Sequence, residues 1–478
     1  MNLKITAKRT AKRTVISASI ALMLTGAALP SYAQSSQELA QMRAEIKQLR
    51  DELNELKSAK QAAPDAALAD RVEQVELRSK DAVVLGDIPN SFRLPNSETS
   101  LRIYGFAELN MVKEFKGDNS DQDYSTFLPY APLNGSAEAN KTGRSYLTGR
   151  TSRLGFEAAT PSSYGPISVK LEGDFNNDPR TGNAAVSGSI GNIFTQQSTN
   201  SYNFRLRHAY GQFGGLLIGQ TWSTFMDVDN APETVDFNGP IGSTFIRQPM
   251  VRYAYVTKDS GTFTGALENS VSYVLDNTGS VTTKGFSRAP DVVGRWDKTF
   301  DWGAVSLRGV AHELKIDDGA AASASTVGYG LAASGLIKTV DNDSMNWSIT
   351  GGTGIGRYFN YIEGAFYDAA NNKILKEKAI GVVLGYQHKP SETLRFNGVL
   401  AYQRNFNNAY TDFAIANGLD SGRFGINRDL WQAHFGAIWN PVKNVDIGAE
   451  YIFGRRKTLA GEAGDMSRID LSAKYNFN

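Results

Sequence analysis

The sequence predicts an all-β protein, a 16-stranded antiparallel transmembrane β-barrel preceded by an N-terminal periplasmic α-helical coiled coil. Three observations carry this. Residues 1–33 have the charge and hydropathy profile of an export signal. Residues 34–63 repeat apolar side chains on a heptad. From residue 101 onward apolar and polar residues alternate with period two, in strands joined by alternately short and long connections. Composition agrees: 46 glycines, 20 tyrosines and 24 phenylalanines fit many turns between aromatic-rich strands. Cysteine is absent from the 478 residues, which excludes disulfide scaffolds, thiolate zinc sites and cysteine nucleophiles. Fifty basic residues against 49 acidic ones give no basic field for nucleic acid.

The first 33 residues read as a cleaved signal peptide. Lys4, Lys8, Arg9, Lys12 and Arg13 precede an apolar stretch over 15–29, and Ser31-Tyr32-Ala33 supplies the small residues of a cleavage site. Loss of those five cations takes the formal net charge from +1 to −4. The stretch is short for a span of about 20 residues, and no other apolar run could cross a membrane as a helix.

Residues 34–63 follow as the coiled coil. Leu39, Met42, Ile46, Leu49, Leu53, Leu56 and Ala63 sit three and four apart, with Lys60 the one break in the seam. Pro64 ends the helix. Leu68, Val72 and Val75 suggest a second, shorter helix, and residues 64–100 close as an extended linker containing Pro89 and Pro95. The seam favours self-association but leaves dimer against trimer open.

The barrel is predicted over 101–478. Leu101, Ile103, Ala107, Leu109 and Met111 share one face of the first strand, with Arg102, Tyr104, Phe106, Glu108 and Asn110 on the other. The last strand repeats the pattern, with Ile469, Leu471, Ala473, Tyr475 and Phe477 against Asp470, Ser472, Lys474 and Asn476. Short turns occur at 161–165, 214–215, 258–261, 301–303, 341–344, 390–392 and 440–444. Longer polar stretches occupy 116–147, 176–202, 226–248, 276–289, 316–324, 359–376, 406–427 and 457–466. Seven short and eight long connections in alternation join sixteen strands, the outer-membrane pattern of short periplasmic turns and long outer loops. An exported β-sandwich has no reason for that alternation.

If the apolar face meets lipid, its alternate meets the lumen, since a charge facing the bilayer midplane costs about 2–4 kcal/mol. This phase places Arg102, Arg153, Arg205, Arg207, Arg252, Arg295, Arg308 and Arg395 inside, with Lys170 and Lys474. Glu108, Glu157, Glu172, Asp174, Glu268, Asp297, Asp446, Glu450 and Asp470 also point inward. The arginines concentrate on strands four to nine and the acids on fifteen, sixteen and one to three. A bore this wide is a water channel unless narrowed. The stretch 226–248 is the candidate constriction loop, which folded inward would bring Asp227, Asp229, Glu233 and Asp236 into the lumen. Guanidinium groups grip carboxylates bidentately, so the arginines favour small anionic solutes as substrates. The competing reading is that they pair with the lumenal acids and hold the loop in place.

With these parts in order, the whole mature chain resembles the DcaP-like outer-membrane porins. The resemblance rests on the order of parts, on Leu101-Arg102-Ile103-Tyr104-Gly105-Phe106-Ala107 opening the barrel, and on Arg247-Gln248-Pro249-Met250-Val251-Arg252-Tyr253 after the long loop. It implies a bacterial outer-membrane location with the coiled coil in the periplasm. It also implies a homotrimer with three pores and a preference for negatively charged molecules such as dicarboxylates. Arg252 is the lumenal arginine that the motif itself places. The chain departs from the pattern at its end, where Phe477 is penultimate and Asn478 follows.

Other signals are weaker. Gly351-Gly352-Thr353-Gly354-Ile355-Gly356 lacks the Lys-Ser/Thr of a phosphate loop and reads as a glycine stripe on a strand. His208, His312, His388 and His434 have no metal-ligand spacing, no G-x-S-x-G is present, and neither an enzyme nor a cofactor is expected. The expected partners are copies of the chain, outer-membrane lipid with lipopolysaccharide, and small anionic solutes. Two other functions remain open: an envelope protein reaching peptidoglycan through the coiled coil, and a general porin without anion preference.

Overall fold

A computed structural model describes residues 84–117, 125–163, 165–177, 202–359 and 362–477, with a few residues between 47 and 74. The chain divides into two units, residues 1–84 with 94–97, and residues 85–93 with 98–478. In the first, the described residues between 47 and 74 are helical. The expected signal peptide and most of the expected coiled coil lie outside the described residues.

The second unit is a closed antiparallel barrel of sixteen strands. In chain order they are β1 Ser100–Lys116, β2 Arg153–Thr160, β3 Ile167–Asn177, β4 Asn203–Phe213, β5 Leu216–Trp222 and β6 Arg247–Val256. Then come β7 Thr262–Glu268, β8 Asp291–Phe300, β9 Gly303–Asp317, β10 Ser323–Lys338 and β11 Ser344–Thr353. The last are β12 Lys378–His388, β13 Leu394–Asn405, β14 Asn427–Trp439, β15 Val445–Thr458 and β16 Ala463–Phe477. Each strand pairs with the next, and β16 closes on β1 with Lys474 opposite Glu108 and Phe477 opposite Gly105. Closure leaves no ladder unpaired, which a bilayer requires. Among the described residues no helix is long and apolar enough to cross a membrane.

The outward positions carry exposed apolar side chains, among them Ile103, Leu109, Phe156, Val169, Leu171, Val251, Leu307, Leu400 and Phe435. The packed core lies inside the barrel. Ala266, Val293, Val310, Ala332 and Ala379 on the inner wall of β7–β12 pack with Phe225, Ile355, Tyr358, Phe359 and Ile362 from two inward-folded loops. Here the rule that the inner face meets water fails, because a loop covers it.

The long connections are also more structured than polar stretches suggest. Short strands at Val274–Leu275, Ala365–Asp368 and Lys373–Leu375 form a small sheet. Helix α1, Ala409–Ala416, packs Tyr410 and Ala414 against Phe366 and Leu275. Its start is set by a capping box, in which Asn408 accepts from the Tyr410 and Thr411 amides. Sparse apolar residues in polar stretches (Phe366, Ile374, Tyr410) nucleate these pieces once the barrel brings them together. Gly351 and Gly352 lie in β11, as the glycine-stripe reading expects.

Candidate functional site

Residues 223–246 leave β5 and run along the inner wall before the chain re-enters the barrel as β6. Most of the polar contacts that seat this loop are made by its backbone or a carboxylate. Asp227 accepts from Asn230 Nδ2 at 2.7 Å and from the Ser334 hydroxyl, and lies 3.4 Å from Arg295. Arg308 donates to the Phe225 carbonyl at 3.0 Å and to Ser334 at 2.7 Å. Further along, Glu233 receives Arg395 through Nε at 2.7 Å and Nη2 at 2.8 Å. Gln432 and Gln403 accept the Ile241 and Gly242 amides at 3.1 and 3.0 Å. Two glycines make the seat possible: a Cβ at Gly385 would lie 2.7 Å from Pro232, and one at Gly448 would lie 2.8 Å from Val235. Any larger residue would push the loop into the bore.

The far end of the loop is held by a buried network on β14–β16. Asp236, 3% exposed, accepts the Thr126 amide at 2.7 Å. Glu450 accepts the Val235 and Asp236 amides and meets His434 Nδ1 at 2.5 Å. Arg468 is fully buried, bidentate to Asp470 at 2.7 Å through each nitrogen, and donates to the Ser125 carbonyl at 2.8 Å. The loop carboxylates accordingly differ. Burial would raise Asp227 and Glu233, but Arg295 with Ser334, and Arg395 through hydrogen bonds and charge, hold them below the usual carboxylate range. Burial wins at Asp236, which is raised despite Arg468 and His434, with Glu450 adding to the rise.

Opposite the anchored loop stands the inner wall of β1–β6. Arg102 pairs with Glu157, Arg205 grips Asp174 at 2.9 and 2.8 Å, and Arg207 reaches Glu172 at 2.8 Å and Asp174 at 2.9 Å. Arg153 stands 3.5 Å from Glu172. A β-bulge makes the arrangement: Glu172 pairs with His208 and Gly173 with Leu206, so Arg207 is an extra residue and both it and His208 turn inward. Arg207 and Arg247 lie over the same Trp222 indole, at 5.6 and 3.8 Å from its centroid, and Phe237 of the loop reaches Arg205 and Arg207 at 5.8 and 6.0 Å. On β2–β6 the cations Arg153, Lys170, Arg205, Arg207, Arg247 and Arg252 face the carboxylates Glu157, Glu172 and Asp174. Arg247 keeps Nε and Nη2 buried without a hydrogen-bond partner, and neither Arg252 nor Lys170 forms an ion pair among the described residues.

The expected lumenal arginines therefore divide into two groups. Arg295, Arg308 and Arg395 are consumed in seating the loop, as the competing reading had it, while Arg102, Arg153, Arg205, Arg207 and Arg252 line the opposite wall. Of the four loop acids, Asp229 is exposed, whereas Asp227, Glu233 and Asp236 turn to the wall. Glu172 and Asp174, read as part of an acidic arc, are neutralised by Arg205 and Arg207 of the adjacent strand. Arg247 and Arg468 escaped the sequence reading. Alternation counted from Arg252 puts Arg247 outside, because the count ignores the loop junction where it sits. Arg468 shares the parity of Asp470 and was legible from it.

Comparison with known proteins agrees with this geometry. A sequence model of the DcaP outer membrane protein family matches residues 76–477. The crystal structure of the outer membrane channel DcaP of Acinetobacter baumannii superposes with a TM-score of 0.67 at 24% identity, covering 82% of this chain and all of that one. An anion-selective porin from Comamonas acidovorans matches with a TM-score of 0.45 at 15% identity, over 80% of this chain and all of its own. Pseudomonas putida OprB matches at 0.46 and 12%, over 79% of this chain and 94% of its own. None of the curated proteins matches the sequence.

Proposed function

The chain belongs to the DcaP outer membrane protein family, and from that premise we propose that it is a homotrimeric channel for passive diffusion of small, negatively charged solutes, dicarboxylates among them. The observation that carries the anion preference is the basic wall of β2–β6, where six cations face three carboxylates, Arg247 stacks on Trp222, and Arg252 and Lys170 form no ion pair among the described residues. A solute carboxylate entering between this wall and the loop meets guanidinium groups on β2, β4 and β6 in turn. Because Arg205 and Arg207 already share Asp174 and Glu172, they attract a passing carboxylate without trapping it, and conduction needs sites weak enough to leave. A second carboxylate gains from the second cation, which favours dicarboxylates over monocarboxylates of equal size. The loop acids do not oppose this, since three of the four are neutralised or buried against the far wall.

The test is electrical. Purified protein in planar bilayers under a salt gradient should give a reversal potential of the anion-selective sign, and liposomes should swell faster in succinate than in a neutral sugar of similar size. A cation-selective reversal potential, or equal swelling rates, removes the anion preference and leaves a general porin.

A further inference from the structure

We propose that the outer rim of β12–β16, continuing onto β1, binds the bisphosphorylated, multiply acylated glucosamine headgroup of lipopolysaccharide. The proposal rests on the barrel lying in an outer membrane with its long loops outward, and not on the anion preference of its bore.

The outward positions in the last turn of these strands before the long loops are unusually basic. Lys378 on β12, Arg404 on β13 and Arg455 and Lys457 on β15 are exposed and alternate with buried inward residues, and Lys116 joins them at a register shift at the end of β1. The register makes them one row: Arg404 stands opposite Asp429, Asp429 opposite Lys457, Arg455 opposite Asp465, and Lys116 opposite Ser467. Two carboxylates serve five cations. Asp465 bridges Arg455 at 2.5 Å and Lys116 at 2.6 Å, and Asp429 lies 3.6 Å from Arg404. Lys378 and Lys457 form no ion pair among the described residues, although Lys378 lies 5.7 Å over the Phe406 ring.

Below this row lies an aromatic layer, in which Trp431 meets Phe453 at 5.2 Å and Tyr451 meets Phe453 at 6.1 Å. Below that the wall is aliphatic, with Leu400 and Leu384 exposed. Cation, aromatic and aliphatic layers in that order complement an amphiphile whose phosphates sit above its sugars' acyl chains. Strands lie about 4.8 Å apart, so Arg404 on β13 and Lys116 on β1 are roughly 19 Å apart along the row, wide enough for two phosphates. On β3, β4 and β10 the outward residues near the loop ends are Phe175, Phe204 and Val327, and at β10 the cation is a single one, Lys376, which donates to the Val327 carbonyl at 2.7 Å. A soluble anion is the poorer match, because the row faces the bilayer and not the bore.

Titration of the folded full-length protein, freed of lipopolysaccharide and held in detergent, with purified lipid A tests this by native mass spectrometry. Replacing Lys378, Arg404, Arg455 and Lys457 together with Gln should weaken lipid A binding by about fivefold per cation removed. The pair Lys378→Gln and Lys457→Gln, which breaks no ion pair, should give the smaller part of that loss, so a folding defect in the larger variant cannot decide the outcome. Channel selectivity should stay unchanged in both, which separates this proposal from the reading of the bore. Equal lipid A affinity in wild type and the pair variant overturns it. So does phosphatidylglycerol binding as tightly as lipid A, or a crosslinker at position 404 capturing a neighbouring copy of the chain instead of lipid.

Discussion

The two walls of the bore use the same residue types to opposite ends. On β13–β16 each acid and arginine has its partner, and Arg395, Arg468, Glu450 and Asp470 are spent on holding the loop. On β2–β6 arginines outnumber carboxylates, and Arg247 and Arg252 are left over. Burial explains the difference. Under the loop an unpaired charge would lose its water, so charges come in matched sets; across the bore Arg252 stays half-buried and Arg247 rests on the Trp222 ring, so a surplus can persist.

Substitutions should separate the walls, with the largest effect on the matched side. Arg468→Met leaves Asp470 buried without its partner and should cost about 3–5 kcal/mol, read as a lower midpoint of urea unfolding. The equivalent change at Arg252 should leave that midpoint nearly unmoved.

Next comes the loop anchor. Glu233→Ala removes a partly exposed bidentate pair, worth about 1 kcal/mol, and should raise open-channel noise with little change in selectivity. Acid should imitate it. Because Glu233 and Asp227 are held below their ordinary values, their anchoring is complete above the usual carboxylate range near 4 and is lost as pH falls through their folded values. Asp236 has the opposite sign, so its end of the loop gains as pH falls. Noise that rises as pH falls below the usual carboxylate range and falls again on return checks this; a flat profile would sink it.

On the surplus wall, Arg247→Ala with Arg252→Ala should lower the anion-to-cation permeability ratio by about twofold per charge, since a unit charge acting over about 8 Å of water is worth roughly 0.5 kcal/mol. Reversal potentials at low salt measure it. The smallest effect belongs to Asp229→Asn, which removes the exposed loop carboxylate and should make the channel slightly more anion-selective. At 1 M salt, where the Debye length is about 3 Å, that change should vanish.

Much of the fold was legible. Ile103, Leu109 and Leu471 announce the lipid face because a strand has period two and a bilayer tolerates no unpaired charge, and the turns at 214–215 and 301–303 lie where the strands reverse. The site was legible in part. Arg205, Arg207 and Arg252 followed from phase, but His208 turns inward at a bulge that no pattern marks, and Arg247 sits where a loop meets a strand.

Alternation and connection length are local properties, and by themselves they determined strand number, closure and which residues face inward along regular stretches. Which inward charges remain free is set by partners far away in sequence: Glu233 meets Arg395 across 162 positions, and Thr126 meets Asp236 across 110. Only the tertiary structure could decide that, because the loop that claims some arginines and spares others is held by glycine-cleared contacts on strands that come much later in the chain.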